Sequence, residues 1–145
     1  MVFPTLTYGS ESWTIDAESR KRIEAFEMFS YRRLLRIPWT ARRTNHSVVE
    51  ELKVLAKDRL LHTIQRNILK YFGHVIRANG LERLSIEGKV EGKRRRGRLP
   101  SRYIDQVTNL TGVPMCQTIR LTENRETWRE VANQKAGSRH LEASY

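Results

Sequence analysis

The chain has 145 residues, 27 Lys+Arg against 16 Asp+Glu, a formal net charge of +11 and a pI near 10.4. Apolar residues make up 39%, enough for one modest core, and no run of about 18 of them exists to span a membrane. The one cysteine, Cys116, excludes an internal disulfide and any zinc site needing two thiolates; with no secretory leader in Met1–Leu6, a reduced intracellular setting, nucleus or cytoplasm, is expected.

Residues 1–15, with Pro4, Gly9, Ser10 and Ser12, are poor in helix formers and are expected to form an extended arm with a turn at Tyr8–Trp13. Helical periodicity begins after Asp16, an N-cap candidate, with Glu18 in the first turn. Ile23, Phe26, Ser30, Leu34 and Ile37 trace an apolar stripe, widened by Met28, Phe29 and Leu35, until Pro38 stops it. Thr44 and Asn45 can cap a short helix through Val48, Val49 and Leu52. The strongest helical pattern runs over 57–78, where Leu61, Ile64, Ile68, Tyr71, Phe72 and Val75 share a stripe. Arg59, Arg66, Lys70 and Arg77 fall close to one line opposite it, and Asn79-Gly80 ends the helix.

Residues 88–102 carry seven basic side chains (Lys89, Lys93, Arg94, Arg95, Arg96, Arg98 and Arg102), one acid (Glu91) and three glycines. More than half of the chain's excess charge therefore sits in fifteen positions, and self-repulsion with glycine entropy predicts an exposed loop. Beyond Pro100, Tyr103, Ile104, Val107 and Leu110 mark an amphipathic helix closed by Thr111-Gly112. Pro114 opens another through Ile119 and Leu121. A last helix from Glu123 to about Gln134 is anchored by Trp128 and Val131, and the tail beyond Ala136 is expected to fray. The predicted architecture is all-α: five to six helices around one long central helix, with an exposed basic loop. It divides into an arm (1–15), a helical unit (16–80), a basic Gly-rich linker (81–101), a small helical unit (102–135) and a disordered tail (136–145).

The cationic excess points to a polyanionic partner, RNA or DNA through its phosphates, and not to a membrane. Guanidinium groups donate in a fork that fits phosphate oxygens, and glycines let backbone amides approach. A nuclear-localisation signal, which can coexist with nucleic-acid contact, or a solvated linker is the plainer alternative for the loop. Arg22, Arg32, Arg33, Arg36, Arg42 and Arg43 cluster around the end of the first long helix. With Arg59, Arg66, Lys70 and Arg77 they can make a two-helix basic surface; solvated helix faces are the plainer alternative. Trp39 and Tyr103 flank basic segments, where an aromatic ring either stacks on bases or packs. Gly73 can permit a close helix crossing, with His74 packed beside it; a catalytic or RNA-contacting His74 is the alternative.

Catalytic chemistry has little to build on. The three aspartates, Asp16, Asp58 and Asp105, are unpaired in sequence, and no two of the four histidines lie three to five residues apart. No catalytic residue, metal or cofactor is expected. Glu87-Gly88-Lys89 and Glu91-Gly92-Lys93 mimic half of a metal-nuclease motif, which would need Asp58 or Asp105 alongside. A protein-interaction module would be favoured by an exposed patch along Phe3, Tyr8, Trp13 and Phe29.

Taken in order, these segments resemble a known family. Tyr8-Gly9-Ser10-Glu11-Ser12-Trp13-Thr14, Arg22 to Glu27, and Tyr31 to Trp39 resemble the region after the polymerase palm of non-LTR retrotransposon reverse transcriptases. Thr44-Asn45 and the Gly-His-x-x-Arg of Gly73-His74-Val75-Ile76-Arg77 fit its downstream pattern. So do Gly97-Arg98 with Tyr103-Ile104-Asp105, and Asn124-Arg125 with Trp128-Arg129. Leu99, Tyr103 and Asn124 depart from the family's proline, tryptophan and aspartate. The resemblance implies a truncated C-terminal piece, with 16–80 thumb-like, a basic helical region behind it, and the polymerase domain upstream in the intact element. It supplies no catalytic residue, and leaves an inert transposon relic as the alternative to a nucleic-acid-binding fragment.

Overall fold

A computed structural model of the chain describes residues 2–55, 59–78, 80–87 and 102–136. Among them the fold is all-α. Its eight α-helices are α1 (Val2–Thr7), α2 (Ala17–Leu34), α3 (Asn45–Glu51), α4 (Leu60–Ala78), α5 (Leu81–Glu87), α6 (Tyr103–Thr111), α7 (Met115–Glu123) and α8 (Arg125–Lys135). Two 3₁₀ turns, Ser10–Ser12 and Trp39–Ala41, interrupt the connections.

The caps follow local chemistry. The Asp16 carboxylate accepts from the Ser19 amide at 2.8 Å, and its hydrogen bonds with Ser19 hold its pKa below the usual aspartate value. Thr44 accepts from Ser47 N, and Asn124 accepts from the amides of Glu126 and Thr127. Asparagine at 124 thus keeps the capping chemistry that an aspartate would supply. Gly112, in the left-handed region at φ 73°, closes α6.

The helix count exceeds the expected five to six because α1 and α5 are short, six and seven residues. Helices of that length are held by packing rather than by intrinsic propensity, so they leave little pattern in sequence. The 1–15 segment is not an extended arm. Pro4 sits in the first turn of α1, where its missing N–H is tolerated, and Phe3 and Leu6 pack on the core. Leu81–Glu87, expected as linker, is helical, and its Ile86 also reaches the core.

α4 is the axis of the molecule. It packs against α1, α2, α5, α6, α7, α8 and the Ser10–Ser12 turn. Leu60, Ile64, Ile68, Leu69, Phe72 and Ile76 of α4 join Val107, Trp128 and Ala132 in one core, so the 16–80 and 102–135 segments share it. A second cluster, Met28, Tyr31 and Val48, joins α2 to α3. α2 is rotated from its expected stripe: Glu27, Met28 and Tyr31 face inward, whereas Phe29 is 58% and Leu34 70% exposed. Serving two clusters at once sets this rotation, since Ile23 and Phe26 reach the α4 core while Met28 and Tyr31 reach α3.

Two aromatic side chains from the C-terminal helices clamp the α4 backbone. The Trp128 indole N–H donates to the Leu69 carbonyl at 2.8 Å, and its ring lies against Gly73. The Tyr103 hydroxyl lies 3.0 Å from the carbonyls of both Ile68 and Glu11. Burial pushes the Tyr103 pKa well up, so the phenol stays a donor at any physiological pH. Tyr103 therefore packs rather than stacking on bases. His74, expected to be packed, is exposed, while Gly73 does provide the close crossing.

Candidate nucleic-acid interface

Five of the expected contact residues lie around the connection between α2 and α3. Arg32 Nη2 donates to the Arg43 carbonyl at 2.6 Å and to Asn45 Oδ1 at 3.0 Å. Arg43 in turn pairs with Glu51 Oε2 at 2.5 Å and reaches the Ser47 carbonyl at 3.4 Å. These two arginines brace the connection. Arg33, Arg36 and Arg42 are exposed, and the Arg33 guanidinium sits 6.0 Å from the Phe29 ring centroid.

The backbone here is unusual. α2 ends in a Schellman motif, with Ile37 N–H bonded to the Arg32 carbonyl and Arg36 N–H to the Arg33 carbonyl. The left-handed position of that motif normally takes glycine, yet Arg36 occupies it at φ 53°. α3 repeats the arrangement: Val54 N–H meets the Val49 carbonyl, Lys53 N–H meets the Glu50 carbonyl, and Lys53 has φ 52°. Arg42 is a third case, at φ 45° after the Trp39–Ala41 turn. A side chain in this region costs about 1–2 kcal/mol per residue. A cation at a helix C-terminus recovers part of that through the dipole.

The α4 cations divide. Arg66 is half-buried, Lys70 and Arg77 are exposed, and His74 lies between the last two. Arg77 Nη1 donates to the Thr122 carbonyl at 2.9 Å, in the last turn of α7, so it also closes that helix. Arg59 leaves the basic line altogether and turns to Glu27.

Sequence reasoning missed Glu27. Its side chain is fully buried, and it accepts from Leu60 N–H at 2.7 Å, Arg59 Nε at 3.1 Å and Tyr31 Oη at 3.1 Å. The carboxylate thus caps the N-terminus of α4 and pairs with Arg59. No local signal marked it, because only the packing of α3 and α4 decides which arc of α2 faces inward. Beside this junction a cleft of about 480 Å³ is lined by Lys21, Met28, Asn45, His46, Val49 and Arg59.

Arg102 is exposed, and its amide is held by Asp105 Oδ2 at 3.3 Å just ahead of α6. Lys89, Lys93, Arg94, Arg95, Arg96 and Arg98 lie outside the described residues, as do Asp58, Glu91 and the tail from 137. The helices that flank the 88–101 segment, α5 and α6, pack against each other. The patch along Phe3, Tyr8, Trp13 and Phe29 that would favour an interaction module is broken, because Phe3 packs edge-on against Tyr31 with ring centroids 5.9 Å apart. Among the described residues no three His, Cys, Asp or Glu are grouped to hold a metal ion, and no helix is long and apolar enough to cross a membrane.

No family model matches the chain, and no solved structure matches it. It is 32% identical over 111 residues to an uncharacterized transposon-derived protein of Caenorhabditis elegans, a match covering 74% of this chain and 40% of the relative. The chain thus spans about two fifths of the curated relative it matches. This similarity supports a transposon-related origin for the chain.

Proposed function

We propose that the protein binds the phosphate backbone of RNA or DNA, without reading sequence and without itself catalysing a reaction. In this reading it corresponds to the thumb and downstream region of a non-LTR retrotransposon reverse transcriptase, with a polymerase domain upstream in the intact element. The observation that carries the reading is the gathering of Arg32, Arg33, Arg36, Arg42 and Arg43 at one helix connection, three of them exposed. The loop cations, Lys89 to Arg98, and Arg102 would add the larger share of charge; Arg66, Lys70 and Arg77 would extend it along α4. Similarity to a transposon-derived protein supports the assignment. Two of the three aspartates serve as helix N-terminal partners, Asp16 to Ser19 N and Asp105 to Arg102 N, which weakens the nuclease alternative.

The left-handed arginines bear on the same reading, because a strained backbone persists where something other than stability favours it. Arg36→Gly is expected to stabilise the fold by about 1 kcal/mol while weakening nucleic-acid binding. Urea unfolding and a binding titration on the same preparation check both signs. A variant more stable and equally tight would remove Arg36 from the interface.

The direct test of the loop replaces Arg94, Arg95, Arg96 and Arg98 together with glutamine. The log–log salt slope for duplex DNA is expected to flatten by about 3.6, or by about 2.8 for a single strand. An unchanged slope would take the loop out of the interface.

A further inference from the structure

On the outward face of α2, Arg22, Phe29 and Arg33 fall on one straight stripe with the small Ala25 between them, all four exposed. We propose that this stripe is a stacking platform, on which an unpaired base of a single-stranded nucleic acid lies against Phe29 while its flanking phosphates meet Arg33 and Arg22. The proposal rests on the backbone-binding reading above and names the strandedness that reading leaves open.

Phe29 is 58% exposed in the middle of an 18-residue helix. The other phenylalanines, Phe3, Phe26 and Phe72, all pack on the core. The Arg33 guanidinium stands 6.0 Å from the Phe29 centroid, within cation–π range. Helical rise puts Arg33 about 6 Å from Phe29 along the axis and Arg22 about 10 Å the other way. Arg22 pairs with Glu18, but both side chains are more than two-thirds exposed, and such a pair is worth about 1 kcal/mol at most, so it yields to a phosphate.

The alternative occupant is a protein surface, which would want continuous apolar area. The other large exposed apolar side chain of α2, Leu34, lies about 140° around the helix from Phe29. A single aromatic ring between cations suits a base better than it suits a protein. Stacking uses the π-face that every base has, so the platform favours unpaired strands over duplex without preferring a sequence.

The experiment measures binding of the full chain to an oligouridine and to an RNA duplex of equal length, at fixed salt. Phe29→Ala and Phe29→Leu are each expected to weaken oligouridine binding about tenfold and to leave duplex binding unchanged, with Phe29→Trp at wild-type strength or tighter. Far-UV circular dichroism confirms that each variant is folded. Full binding by Phe29→Leu, or equal losses on both ligands, would overturn the platform. Wild-type binding by Phe29→Ala, with both ligands weakened by Arg33→Glu, would overturn it and leave the backbone-binding reading standing. A wild-type protein that binds neither ligand would overturn both.

Discussion

Replacing Gly73 with alanine is expected to destabilise the protein by about 2 kcal/mol, and the same replacement made in a Trp128→Ala background is expected to stabilise it. A Cβ at Gly73 would stand 2.2 Å from Trp128 Nε1 and 2.3 Å from Cδ1, well inside any real contact. The indole cannot retreat cheaply: it is 2% exposed, tilted against Phe72 at 5.7 Å, and tied by its N–H to the Leu69 carbonyl. That carbonyl lies one turn before Gly73, so the hydrogen bond and the clash share one spot. Removing the indole by itself should cost about 3–5 kcal/mol as a large-to-small core change. Once it is gone, the nearest remaining neighbour of the methyl is Arg77 Nη1 at 3.1 Å, the far end of a flexible side chain that needs only a small shift, and the usual advantage of alanine over glycine inside a helix, about 0.5–1 kcal/mol, reappears. The four proteins form a double-mutant cycle read by urea unfolding. A Gly73→Ala effect of the same sign in both backgrounds would show that the close approach does not govern this crossing.

Replacing Glu27 with alanine is expected to cost about 3 kcal/mol, a large share of a typical stability of about 5–15 kcal/mol. Three donors lose their acceptor at once: Leu60 N–H, Arg59 and Tyr31 Oη. The figure sits at the low end for a broken buried pair because Arg59 keeps 33% of its side-chain surface in solvent and can turn to water. Glu27→Gln retains an oxygen for the Leu60 amide but not the charge at the α4 N-terminus, and should cost about 1–2 kcal/mol. The urea midpoint should fall in that order with the m-value unchanged. A loss below about 1 kcal/mol for Glu27→Ala would mean that water already serves the junction.

Much of the fold was legible because the relevant physics is local. Asp16, Thr44, Gly112 and Pro114 mark helix ends by side-chain or backbone chemistry that acts within a turn, and the long stripe of α4 repeats often enough to stand out. The face of α2 was not legible. Its apolar residues nearly surround the helix, and only the positions of α3 and α4 decide that Tyr31 turns in while Phe29 and Leu34 turn out. The Glu27–Arg59 pair spans 32 residues, so no local pattern announces it, and Arg59 reads in sequence as one more surface cation. His74 shows the converse: a histidine within a strongly apolar helix, next to a packed glycine, still falls on the narrow strip that α4 leaves open.

The candidate interface was legible as charge and not as geometry. Composition locates Arg32, Arg33, Arg36, Arg42 and Arg43 in one stretch. It does not show that Arg32 and Arg43 brace the chain while Arg33, Arg36 and Arg42 are exposed on a helix end and a turn.

The proposed function requires that these cations, with the seven of 88–102, be matched to a polyphosphate. Its most direct measurement is the affinity of the wild-type chain for duplex DNA and for RNA across a series of monovalent salt concentrations. A straight log–log decline is expected, with a slope of about −6 or steeper on duplex DNA, the value for seven engaged cations, and with little dependence on base sequence. Binding that is absent, or a slope shallower than about −2, would contradict it.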